Sequence, residues 1–364
     1  MEVKSLTNKI IASFVHGYND LDLNVPSEER PSLMVIENNI KSIFSYPFPR
    51  NPNDFNKFSK LFLGQLPFKN SQDFKKLPRF GLTGLISTEE NIFAGSWNSV
   101  YKISKENFDL EAIITNNLMN DMHGIWASNN EIITILTCKD TVVISDHEGK
   151  IIDHFAIDNK LNVYKDSMID DHDWRFISKQ HRGSTGYWHF NYVQKIDNEI
   201  WLTARNANSF VVVDLDKKSA KMRLMNFNTP VMLHDGIKYG ERFYFTSIDG
   251  KIIIAEDHKT TEMKQHNREE LDNSDLYNRD LVTIPIRLSE TELGREPNWC
   301  RGIDVKDGIM YVTIDGRYDT DLSFGLLALR EDNQEILFNH RLNWSEIGDE
   351  KDLRFVTGFD VLVI

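Results

Sequence analysis

One pattern recurs along this chain and limits what it can fold into. A short stretch centred on a glycine is followed by an apolar run, a turn and a second apolar run. Met122-His123-Gly124-Ile125-Trp126 precedes Glu131-Ile132-Ile133-Thr134-Ile135 and Thr141-Val142-Val143-Ile144-Ser145. Leu233-His234-Asp235-Gly236-Ile237 precedes Arg242-Phe243-Tyr244-Phe245-Thr246 and Lys251-Ile252-Ile253-Ile254-Ala255. Trp299-Cys300-Arg301-Gly302-Ile303 precedes Ile309-Met310-Tyr311-Val312-Thr313 and Leu326-Leu327-Ala328-Leu329. Two looser copies start at Leu82-Thr83-Gly84-Leu85 and Trp188-His189-Phe190-Asn191-Tyr192. Thr83 to Ile92, His123 to Ile132, His234 to Phe243 and Cys300 to Ile309 are each nine positions apart, whereas His189 to Ile200 is eleven. No amphipathic helical period competes with this spacing.

Each copy also offers an outer strand, such as Lys150-Ile151-Ile152-Asp153-His154-Phe155. A unit is therefore four short strands rich in Val, Ile, Phe and Tyr, separated by Gly, Asn and Asp turns. The chain ends complete the set. Lys9 to Phe14, Ser32 to Glu37 and Lys41 to Tyr46 match the second, third and fourth strands of a unit, and Phe355-Val356-Thr357-Gly358-Phe359-Asp360 supplies its first. The pattern predicts an all-β fold: a six-bladed β-propeller spanning 1–364 as one domain, with a C-terminal strand closing the N-terminal blade. Closure removes the free edges that an open array would leave. The sequence resembles six-bladed propellers of the NHL, SMP-30 and YVTN kind.

Three spans, near 48–79, 158–187 and 259–297, break the strand pattern and read as inter-blade insertions that build a rim over the channel. The formal net charge of −13, with no basic run longer than a lysine pair, argues against nucleic acid as a partner. No long apolar stretch is present, so no membrane association is expected, and Cys138 and Cys300 cannot form a disulfide framework. These features predict a cytoplasmic protein.

In a propeller the start of each inner strand faces the central channel. Around the ring these positions are Leu82 and Thr83, Met122 and His123, His189 and Phe190, His234 and Asp235, Cys300 and Arg301, and Val356 and Thr357. Three of them bring a histidine to one level. Imidazoles from separate strands with an open position form a common zinc arrangement, so His123, His189 and His234 are the expected ligands of a divalent metal: zinc first, with iron, manganese or calcium as alternatives. Asp235 would orient a ligand or serve as base, and Arg301 would bind a substrate anion through its bidentate fork. Thr83, Trp188, Arg205, Trp299 and Cys300 are expected to line the substrate. The competing reading of each histidine is a buried ring bonded to a carbonyl. A one-residue slip would turn His189 away from the channel and bring Phe190 in.

His123-Gly124-Ile125 and His234-Asp235-Gly236 are similar to the inner-strand motifs of the peptidylglycine-amidating lyase domain, a propeller whose histidines hold zinc. That resemblance implies a metal-dependent site. The SMP-30 lactonases hold calcium through acidic residues and Asn before such glycines, and only Asp235 matches that type. The expectation is a metal-dependent enzyme, a lyase, hydrolase or isomerase, acting on a small polar or carboxylate-bearing substrate at the channel mouth. The alternative is a non-catalytic propeller whose rim loops bind a protein or glycan.

Overall fold

The computed structural model describes residues 8–16, 31–38, 40–49, 52–65, 80–165, 173–176, 186–224, 233–248, 250–256, 261–263, 282–285, 299–315, 322–343 and 356–364. They form six sheets, each with an antiparallel four-stranded core, arranged as the blades of a propeller. Blade 2 contains Leu85–Ser87, Asn91–Gly95, Val100–Ser104 and Leu110–Thr115, from the channel outward. Blade 3 contains Ile125–Ala127, Ile132–Leu136, Thr141–Ser145 and Ile151–Ile157; blade 4 contains Phe190–Ile196, Glu199–Ala204, Ser209–Asp214 and Ser219–Leu224. Blade 5 contains Leu233–Tyr239, Arg242–Ser247, Lys251–Glu256 and Val282–Pro285; blade 6 contains Trp299–Lys306, Ile309–Asp315, Leu322–Arg330 and Ile336–Asn343.

Blade 1 closes the ring as the repeats predict. The C-terminal strand Val356–Val363 pairs with Ile10–His16, with Ile10 opposite Val363, and Pro31–Glu37 and Ile40–Ser45 follow outward. Middle strands such as Ile132–Leu136 and Thr141–Ser145 are buried at every position. Each blade is covered on both faces by its neighbours, so these strands read as continuous apolar runs. The core accordingly lies between blades, as where Ile133, Val142 and Phe155 of blade 3 meet Trp188, Phe190 and Leu202 at blade 4.

The recurring glycine has a packing cause. A Cβ on Gly84 would stand 2.8 Å from the Ile125 nitrogen, one on Gly124 2.8 Å from the Tyr192 Cα, and one on Gly302 2.4 Å from the Asp360 Cα. Each glycine lets its inner strand close on the next around a narrow channel.

The spans read as insertions are partly sheet. Val282–Pro285, inside 259–297, is the outer strand of blade 5, and Thr261–Met263 pairs with Ser219–Leu224 of blade 4. Phe62–Gly64 runs parallel to Leu110–Thr115, and Val163–Tyr164 extends blade 3. These strands escaped the sequence pattern because they are short and lie far from the hairpins that carry it. The helix Pro52–Lys57 packs Phe55 against Trp97 and under the buried Arg175, which pairs with Asp173 through Nε and Nη2 at 2.8 and 2.6 Å. Residues 66–79, 166–172, 177–185, 264–281 and 286–298 lie outside the described residues.

Candidate functional site

The site is built on bulges in the inner strands. The ladder between Leu233–Tyr239 and Arg242–Ser247 slips between Leu233 and Gly236, and that between Trp299–Lys306 and Ile309–Asp315 slips between Cys300 and Ile303. A bulge frees a backbone N–H from the ladder and re-aims side chains. Here a hydroxyl on the second strand takes it up: the Asp235 N–H donates to Thr246 Oγ1 at 3.1 Å, Gly302 to Thr313 Oγ1 at 2.7 Å, and Asp360 to Ser13 Oγ at 3.0 Å. The same hydroxyls donate onward to the next blade, Thr246 to the Arg301 carbonyl, Thr313 to that of Phe359 at 3.5 Å and Ser13 to that of Thr83 at 2.7 Å. One oxygen thus fixes the bulge and stitches two blades.

These latches align His234-Asp235, Arg301-Gly302 and Phe359-Asp360 as equivalents. The sequence reading set Val356 and Thr357 at this level. The structure puts Phe359 and Asp360 there, because Ser13 latches Asp360 and not Gly358.

The three predicted histidines do meet. The ring centroids of His123 and His189 are 5.5 Å apart at 86°, and those of His123 and His234 are 6.3 Å apart. Phe359 stands against His123 and His234 at 5.5 and 5.3 Å, with the Arg301 guanidinium 5.4 Å over its ring. Arg301 Nη1 lies 3.4 Å from His234 Nε2, and His234 Nδ1 lies 2.9 Å from Asp235 Oδ1. A guanidinium can only donate, so Nε2 is the acceptor and Nδ1 carries the proton toward Asp235. Burial, then the charge of Arg301, pushes the His234 pKa well below its usual value, so the ring is neutral.

Both carboxyls here are raised. Burial, with the Asp360 carboxyl beside it, pushes Asp235 well above the carboxylate range, and Arg301 opposes this. Burial lifts Asp360 to about 8, although the Leu85 and Val361 N–H groups donate to it at 2.6 and 2.8 Å. Two neighbouring carboxyls out of water do not both ionise readily. His123 Nε2 lies 3.6 Å from Asp121 Oδ1.

His234 has turned both ring nitrogens to Asp235 and Arg301, so a metal held by all three rings would have to take the place of Arg301 at Nε2. Among the described residues no group of three or more His, Cys, Asp or Glu side chains is arranged to hold a metal ion. Beside His123 lies a pocket with room for about one water-sized sphere, 10 Å³, lined by Val15, Gly81, Thr83, Trp97, Met122 and Phe359. Thr83 Oγ1 is buried there and has no hydrogen-bond partner among the described residues.

Arg205 sits in a single turn, Arg205–Ala207, and its charge helps depress His234, which places it near the site. Two expected substrate contacts are corrected. Trp188 is fully buried between blades 3 and 4, with its Nε1–H donating to the Asp158 carbonyl at 3.0 Å, and Cys300 lies in the core between blades 5 and 6. In its strand Cys300 alternates with the channel residue Arg301 to the opposite side, which buries it between blades. The side chain of Trp299 lies outside the described residues. Sequence reasoning missed Asp121, Asp140, Phe359 and Asp360. The last two were legible only through the Ser13, Thr246 and Thr313 register.

The molecule is thus a six-bladed β-propeller with a His, Arg and Asp cluster in its channel. No protein-family model matches the chain, and no curated protein matches it. Two solved structures are similar at low sequence identity. A streptogramin B lyase structure is 11% identical over 96% of this chain and 91% of that one, with a TM-score of 0.44. A nidogen/laminin complex is 8% identical over 98% and 97%, with a TM-score of 0.48. No described helix is long and apolar enough to cross a membrane.

Proposed function

We propose that the channel cluster binds a small carboxylate-bearing molecule and acts on it by acid–base chemistry, as a lyase, hydrolase or isomerase. The observation that carries this reading is Arg301, a 5% exposed cation set 3.4 Å from the accepting nitrogen of a neutral, buried imidazole. In this reading the Arg301 fork binds the substrate carboxylate. As the guanidinium turns from Nε2 to that carboxylate it frees this nitrogen, and His234, oriented through Nδ1 by Asp235, takes a proton from the group brought there. His123 faces the same space and returns a proton on the other side, and Thr83 Oγ1 supplies a hydrogen bond to a polar part of the substrate.

The metal-dependent form of this reading would put a metal at the Nε2 that Arg301 vacates; His123, His189 and His234 would then be the ligands. Elemental analysis of the wild type beside a His123→Ala/His234→Ala variant separates the two forms: near-stoichiometric metal lost in the variant favours the metal.

The test of anion binding is a thermal-shift and calorimetric titration with small mono- and dicarboxylates against the wild type and Arg301→Gln. A ligand at 100 times its Kd adds about 2.7 kcal/mol of stability. We expect at least one carboxylate to stabilise the wild type and not Arg301→Gln, with the circular dichroism of the variant unchanged. No stabilisation by any carboxylate, or equal stabilisation of both proteins, would sink the reading and turn the search to protein or glycan partners.

A further inference from the structure

His189 does not lie in its strand. It sits one residue before Phe190–Ile196 with φ +52°, the left-handed region that side chains other than glycine seldom occupy. Such a conformation persists only where its surroundings hold it. The holder comes from the neighbouring blade. Asp140, itself at φ +48°, follows the second strand of blade 3, and its carboxyl is buried. Oδ2 accepts the Trp188 N–H at 2.9 Å and Oδ1 accepts the His189 N–H at 3.0 Å, with the backbone N–H groups of Tyr187 and Phe190 contributing as well. A Cβ on Gly186 would stand 2.4 Å from Asp140 Oδ1, so only glycine lets the chain pass over this carboxyl. From the other side, the Arg205 N–H donates to the His189 carbonyl at 3.4 Å and the Asn206 N–H to that of Trp188 at 3.1 Å. The product of these contacts is a His189 ring edge-on to His123 at 5.5 Å.

We propose that Asp140 is the positioning residue of the channel site: its carboxyl gathers the N–H groups at the start of blade 4 into the left-handed turn that presents His189 to His123. Asp140 touches no substrate in this scheme. It acts through the backbone of His189, whose ring stands against His123, and the functional meaning of that role rests on the anion-site reading above.

The test uses the full chain with its histidines labelled for NMR. In the wild type the two imidazoles give a ring-to-ring NOE. Asp140→Ala should abolish it and shift the His189 ring resonances while those of His234, in blade 5, stay in place. Asp140→Asn, which keeps one acceptor oxygen, should restore part of the signal. If Asp140→Ala does not fold, Gly186→Ala tests the same clamp by pushing the chain off the carboxyl, and should weaken the NOE by several-fold. An NOE that survives in Asp140→Ala, or in Gly186→Ala where only that variant folds, overturns the proposal. Loss of the NOE with carboxylate binding unchanged supports the positioning role while counting against His189 as part of the anion site, so the two readings fail separately.

Discussion

His234 and His189 reach the same level of the channel by different routes. His234 lies inside its strand, at a bulge whose N–H is taken by Thr246 of the same blade. Its means of support is local: a His-Asp-Gly segment and a threonine eleven residues after Asp235. His189 lies outside its strand in a left-handed turn, held by an aspartate 49 residues earlier in another blade. A repeat can keep the position of a side chain while replacing the device that holds it, and the replaced device is the one that sequence spacing hides.

Variants can break the comparison. The largest effect should come from Trp188→Ala, which empties a fully buried site where the ring stacks on Phe190 and anchors to Asp158. Loss of a buried Trp costs about 4 kcal/mol, read by urea unfolding, and the His189 resonances should move with it. Thr246→Val comes next. It strips the Asp235 N–H and the Arg301 carbonyl of their partner at once, a cost of about 2 kcal/mol, and should disturb His234 and leave His189 alone. Thr203→Val in blade 4 removes a single 3.4 Å bond to the Gly236 carbonyl, so its cost should be about 0.5 kcal/mol. If the two threonine variants cost the same, the double latch is not the source of blade 5 stability.

The smallest effect is the sign of the pH response. Burial lifts Asp140 from 3.8 to about 7 against its backbone donors, so between those values the folded chain holds the extra proton. Its contribution to stability therefore rises as pH falls from about 7 toward 4. His234 works the other way. Its folded pKa lies well below 6.5, so the unfolded chain takes the proton first and stability falls as pH drops below about 6.5. Denaturation curves across that window should show Asp140→Asn gaining less on acidification than the wild type and His234→Gln losing less. Parallel curves for both variants would show that neither group titrates as its surroundings imply.

Much of the architecture was open to reading. The nine-residue spacing from the glycine segment to the next apolar run marked four blades, a looser copy with eleven marked a fifth, and the unmatched strands at the two ends supplied the sixth. The convergence of His123, His234 and Arg301 followed from the same spacing. Asp360 was not legible, because the C-terminal copy keeps a glycine, Gly358, two residues off the structural register. His189 was ambiguous for a related reason: its eleven-residue spacing left a slip open, and nothing near it in sequence resolves which way it faces.

The sequence by itself therefore determined the sheet fold, the blade count and the ring closure. Those depend on short apolar runs buried on both faces, turn residues and glycines needed where inner strands touch, and each of these is written within one repeat. Only the tertiary structure decided which residues make the site. The bulge register of the closing strand, the turning of His189 by Asp140, the burial of Trp188 and Cys300, and the claim of Arg301 and Asp235 on both nitrogens of His234 each join residues from different strands or blades. A contact between blades has no fixed separation along the chain, so no local pattern records it.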